Sequence, residues 1–122
     1  MKDHPSTSQE YFKRIVAMAR IILPEMNIQI PPNLSPDNYN DFLDVGINDW
    51  GGISPITVDY VNPEFSWPQI NTLESKCSEQ GFELKARVPV YPKFINMINP
   101  NLKEKIKKLS DDEDYVRREF WR

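Results

Sequence analysis

The sequence predicts an α/β chain made of the C-terminal βα units of a (β/α) barrel, incomplete in these residues. Three observations predict it. Amphipathic helical segments alternate with single short segments of period-2 hydrophobicity, the order that builds parallel βα units. With the helices on one side, the opposite face would carry Asn27, Gln29, Asn48 and Arg87, a polar set that suits a ligand-holding lumen better than a packed core. The 122 residues are about half of the roughly 250 that a closed barrel takes.

The first helix is expected from Ser6 or Thr7 to about Leu23, because Tyr11, Phe12, Ile15, Val16, Ala19 and Leu23 recur at helical spacing. Ser6 and Gln9 fit a capping box, and Pro24 ends the helix. Residues 26–30 alternate Met26, Ile28 and Ile30 with Asn27 and Gln29, which reads as a strand, and Pro31-Pro32 forbids further pairing. Ser35-Pro36-Asp37 opens a short helix with Tyr39, Phe42 and Leu43 on its apolar stripe and Gly46 as the residue that closes it. Residues 45–48 leave room for a brief strand leading into Asp49-Trp50-Gly51-Gly52. Residues 53–65 follow neither period and read as a long functional loop.

Ser66-Trp67-Pro68-Gln69 repeats the cap-plus-proline signal ahead of a helix with Trp67, Ile70, Leu73 and Cys77 on one stripe and Gly81 at its end. Residues 82–88 alternate Phe82, Leu84, Ala86 and Val88 with Glu83, Lys85 and Arg87, a third strand. Two short helical pieces, residues 93–98 and 101–109, flank Pro100, and an acidic stretch at residues 111–114 reads as solvated and mobile. The expected organisation is residues 1–109 as barrel and 110–122 as an acidic and mixed tail. Open parallel edges and an uncovered inner face predict that the piece needs a missing N-terminal half or self-association.

Composition narrows the function. Fifteen basic against 18 acidic side chains give a net charge of −3 and a pI near 5.2, which argues against a nucleic-acid partner. Mean hydropathy is −0.59, and no apolar run approaches the ~20 residues of a membrane span. The N-terminus has no apolar signal region, so the cytoplasm is the expected location. One cysteine, Cys77, excludes an intrachain disulfide, and its place on an apolar helix stripe suits a buried hydrophobe. His4, the only histidine, cannot build a triad or a metal cage alone.

The strongest local pattern is Gly46-Ile47-Asn48-Asp49-Trp50-Gly51-Gly52-Ile53-Ser54-Pro55. Gly51 and Gly52 behind a polar pair let backbone N–H groups approach a ligand, while Asn48 and Asp49 offer amide and carboxylate contacts. The same residues also suit a plain glycine turn with an Asx cap. Gln29 and Asn33 flank the double proline at a strand end. Arg87 could bind a carboxylate through its fork of donors or pair with Glu83, and Tyr91 stands between two prolines.

With Ile28-Gln29-Ile30-Pro31-Pro32-Asn33-Leu34, the 46–55 motif, Val61-Asn62-Pro63-Glu64 with Trp67-Pro68, and Arg87-Val88-Pro89-Val90-Tyr91-Pro92, the chain resembles the C-terminal part of one family. That family is the radical S-adenosylmethionine subunit of deazaflavin (FO) synthase, known as CofG, and the resemblance runs from about Tyr11 to Phe94. It implies a (β/α) barrel of the radical SAM type, a lyase that forms 7,8-didemethyl-8-hydroxy-5-deazariboflavin from a ribitylaminouracil–tyrosine adduct with loss of ammonia. It implies a 4Fe-4S cluster and S-adenosyl-L-methionine as cofactors, and a sister CofH-type subunit as source of the adduct. Transferred to matching positions, it makes Gln29, Asn33, Asn48, Asp49, Gly51, Gly52, Arg87 and Tyr91 candidates for contact with substrate or S-adenosylmethionine. The catalytic residues stay unassigned.

The family holds its cluster through a CxxxCxxC motif, which these residues lack. The expectation is an enzyme-family member inactive as this chain alone. The alternative is a non-catalytic half-barrel binding module or a degenerate remnant.

Overall fold

The computed structural model describes Pro5 and residues 7–121, and the chain divides into two compact units, Met1–Phe82 and Glu83–Arg122. The Ser6 capping expectation and His4 lie outside the described residues. Helices are α1 (Gln9–Ile22), α2 (Asp41–Asp44), α3 (Ile70–Glu79) and α4 (Pro100–Leu109), with short 3-10 turns at Pro32–Leu34, Pro92–Met97 and Arg118–Phe120. Among the described residues β pairing is limited to two isolated bridges, Gln29 with Asp49 in parallel and Ser110 with Val116 antiparallel.

That overturns the expectation of three strands in a barrel layer: among the described residues no strand and no barrel form. The physical reason is partnership. A period-2 pattern prepares an extended segment, but a ladder needs a neighbour of matching length. Residues 26–30 find a neighbour only at Asn48 and Asp49, through Ile30 N–H to Asp49 C=O at 3.1 Å and Asn48 N–H to Ile28 C=O at 3.2 Å. The expected apolar face is kept at one end only, since Ile30 is buried and Met26 exposed. Residues 82–88 form no ladder; Phe82 N–H donates to the Cys77 carbonyl at 2.9 Å, and the Ala86 carbonyl accepts from Val116 N–H at 2.8 Å.

In the first unit, Ser8 caps α1, its hydroxyl accepting from Tyr11 N–H at 3.3 Å. Arg20 in the last turn closes the other end: its guanidinium donates to the carbonyls of Pro24 (2.8 Å) and Met26 (2.7 Å) and reaches across to Gly46 (2.8 Å). A cation at a helix C-terminus is favoured by the orphaned carbonyls there. The side of α1 with Phe12 and Val16 packs inward, Phe12 edge-on to Phe42 at 5.1 Å.

The helix expected from Ser35 shrinks to turns and one α-helical turn, α2, whose Phe42 and Leu43 are buried. Gly46 follows with φ +105, as a closing glycine should. A Cβ there would stand 2.7 Å from Arg20 Cγ, so the position admits no larger residue without moving the arginine. The helix expected from Ser66 starts later, at Ile70 with Gln69 before it and no side-chain cap. Its stripe is buried at Leu73 and Cys77, and Gly81 N–H ends it on the Ser78 carbonyl at 3.0 Å. Trp50 stands edge-on to Tyr39 at 5.5 Å and donates its indole N–H to Cys77 Sγ at 3.4 Å.

In the second unit Asn99 caps α4, accepting from Asn101 N–H at 2.9 Å, and Pro100 occupies the first turn. The acidic stretch is solvated but organised. Asp111 Oδ1 accepts from Glu113 N–H (2.9 Å) and Tyr115 N–H (3.0 Å), and Asp114 takes φ +65 in the resulting turn. Lys85 pairs with Glu113 and, at 3.5 Å, with Glu83.

Candidate functional site

The turn after Gly46 is built from the chain outward. Arg20 holds the Gly46 carbonyl and, at 3.4 Å, the side-chain oxygen of Asn48. The same Asn48 oxygen accepts from Ile28 N–H at 2.9 Å, and its amide nitrogen donates to Asn27 Oδ1 at 2.7 Å. Asn48 thus substitutes for the backbone ladder that residues 26–30 lack. Asp49 Oδ1 accepts from Gly51 N–H at 2.6 Å, an Asx turn, while its carbonyl takes Ile30 N–H.

Gly51 sits at φ +77 with the Gln29 carboxamide packed over it. A Cβ on Gly51 would stand 3.0 Å from Gln29 Cδ and collide with its nitrogen. Gly52 is exposed, with no atom within 4 Å of where a Cβ would stand, so its backbone is open to approach from outside.

Four of the eight expected site residues therefore meet: Gln29, Asn48, Asp49 and Gly51, with Gly52 next in the chain. Asn33 serves a different contact. It is fully buried (0% exposed), and its amide donates to Asp59 Oδ2 at 2.8 Å, tying the 53–65 loop to the Pro32–Leu34 turn. Its side-chain oxygen is buried without a hydrogen-bond partner. Arg87 and Tyr91 belong to the second unit, where the guanidinium lies 4.2 Å from the Tyr91 ring centroid and donates to the Val88 carbonyl at 3.0 Å. A cleft of about 200 Å³ in the first unit is lined by Pro32, Tyr39, Pro68, Thr72 and Lys76 among others, and none of the eight lines it.

Sequence reasoning missed Asp59 and Arg20. Asp59 Oδ1 accepts from Val61 N–H (2.9 Å) and Asn62 N–H (3.3 Å). The Val61 N–H and the Asn33 amide, with further help from Asn62, hold its carboxyl below the usual carboxylate range. An aspartate two and three residues before backbone donors is the Asx signature, legible in Asp59-Tyr60-Val61-Asn62. Arg20 offered only its place in a last helical turn.

An iron–sulfur cluster needs several accessible thiolates. Here Cys77 is 2% exposed, burial pushes its thiol above the ordinary value against the opposing Trp50 N–H, and no group of three or more His, Cys, Asp or Glu among the described residues could hold a metal ion. The cluster implied by the resemblance does not fit this chain. No helix among the described residues is long and apolar enough to cross a membrane.

No family model matches the chain, and no solved structure matches it. Among curated proteins it is similar to the 7,8-didemethyl-8-hydroxy-5-deazariboflavin synthase of Methanopyrus kandleri, 44% identical over 119 residues that are 96% of this chain and 36% of the relative. The synthase of the same name from Methanococcus maripaludis is 50% identical over 101 residues, 81% of this chain and 28% of the relative. The FO synthase of Streptomyces avermitilis is 40% identical over 116 residues, 91% of this chain and 14% of the relative. The chain thus spans about a third or less of the length of these relatives. All three relatives carry the name of a deazaflavin (FO) synthase. The chain is a homologue of the CofG-type, C-terminal portion of these FO synthase proteins.

Proposed function

We propose that the chain acts as the C-terminal part of a cytoplasmic radical S-adenosylmethionine FO synthase of (β/α) barrel build, working on a ribitylaminouracil–tyrosine adduct with release of ammonia. The observation that carries the reading is 44% identity over a match of 119 residues, 96% of this chain, to a protein named for that product. The rest of such a synthase would bring the 4Fe-4S cluster, and a CofH-type partner the adduct. No step through the cluster belongs to these residues.

This chain's contribution is a shaped surface. The Asn48-Asp49-Trp50-Gly51-Gly52 turn is the element that meets S-adenosylmethionine or the ribityl substrate. Asn48 and Gln29 hold its geometry, Asp49 offers a carboxylate, and the open Gly52 backbone grants close approach. Arg87 and Tyr91 are candidate ligand contacts within the second unit, considered by itself. Asn33 acts on the site by anchoring the 53–65 loop.

Alone, the chain is expected to be inactive. Anaerobic incubation of the purified chain with iron and sulfide, followed by assay for 5′-deoxyadenosine, checks this. The expected result is neither cluster absorption nor 5′-deoxyadenosine above the protein-free control. Formation of both would overturn the assignment of the radical source to residues outside this chain.

A further inference from the structure

The side of α1 turned away from its unit carries an apolar stripe. Tyr11, Ile15, Met18 and Ile22 are 60%, 45%, 60% and 68% exposed. At 100° per residue they lie on one line, roughly 140° around the helix from the packed side. The packed side is fixed by contacts: Phe12 on Phe42, Lys13 to Asp41 at 3.3 Å, buried Val16, and Arg20 on Gly46. The Glu10–Arg14 pair at 3.1 Å borders the exposed stripe. Spacing of 4, 3 and 4 between large apolar residues is the seam against which a second helix packs, whereas a solvated helix face carries polar residues.

The lengths of the relatives indicate what covers it. The matched residues make up 36% and 28% of the Methanopyrus kandleri and Methanococcus maripaludis synthases, so most of each protein has no counterpart here. That additional chain is the source from which a covering helix would come.

We propose that the Tyr11, Ile15, Met18 and Ile22 stripe is the docking seam for an amphipathic helix from the remaining portion of the synthase. The proposal rests on the reading of the chain as part of such a synthase. The partner helix presents apolar residues at matching spacing and polar groups at its borders, where Glu10 and Arg14 meet it.

The test compares the full chain with a chimera in which it replaces the 119 matched residues of the Methanopyrus kandleri relative. In the isolated chain, Ile15→Lys with Met18→Lys leaves the melting temperature within about 2 °C, since both side chains already face water. In the chimera the same pair lowers it by about 5 °C or more, and Ile15→Leu with Met18→Leu restores it. Equal melting of the parent and Lys-substituted chimeras overturns the seam and leaves the synthase reading standing. A parent chimera that does not fold overturns the synthase reading itself. An isolated chain that is a dimer by light scattering and becomes monomeric on the Lys substitutions gives the stripe to a second copy and overturns the proposal.

Discussion

Residues 26–30 and residues 82–88 carry the same alternation of apolar and polar side chains, yet they end differently. The first segment bridges to Asp49, has Asn48 filling in for the missing ladder and buries Ile30, while the second forms no bridge and has one backbone hydrogen bond with Val116. Alternation therefore specifies an extended backbone, and pairing depends on a neighbour that only tertiary structure supplies.

Proline substitution separates the two segments most sharply. Ile30→Pro removes the N–H bonded to Asp49 and a buried side chain, and it should destabilise the first unit by about 3–5 kcal/mol. Val116→Pro removes the tie to Ala86 at about 1–2 kcal/mol, an effect read in the second unit. Urea unfolding followed by residue-resolved NMR measures both, and equal losses would erase the contrast.

Next in size is Gly46→Ala. It would place a side chain at φ +105 and within 3 Å of Arg20, costing about 2–4 kcal/mol by the same measurement. A loss below about 1 kcal/mol would mean that Arg20 does not clamp the turn as described.

The smallest effect is local. The folded Asp59 carboxyl lies below its unfolded value, so its anchoring of the 53–65 loop is complete above the ordinary carboxylate range and is lost as pH falls through the folded value. Amide exchange at Val61 and Asn62, corrected for intrinsic rates, should show less protection once pH falls below the ordinary carboxylate range. Asp59→Asn, which cannot titrate, should flatten that dependence; an unchanged pH profile would remove Asp59 as the anchor.

Much of this was legible in the residues. Pro24, Gly46, Gly81 and Pro100 mark helix boundaries that the structure keeps, because each acts through its own backbone. The family was legible in the 46–55 motif and the proline-framed segments. What escaped was long-range. Nothing local in Asn33 announces that it is buried and bonded to Asp59, 26 positions away, or that Arg20 reaches Gly46 across the same separation. The barrel expectation failed for the same reason, since a sheet is a property of several segments together and none of the three here has a full ladder partner among the described residues.

The claim that this chain completes a deazaflavin synthase is tested most directly by product formation in the Methanopyrus kandleri chimera. Supplied with the tyrosine-derived adduct and S-adenosylmethionine after cluster reconstitution, the folded chimera should form 7,8-didemethyl-8-hydroxy-5-deazariboflavin, and its Asp49→Ala variant should fold and form little. A folded, cluster-loaded chimera that makes none of the deazaflavin would contradict the account.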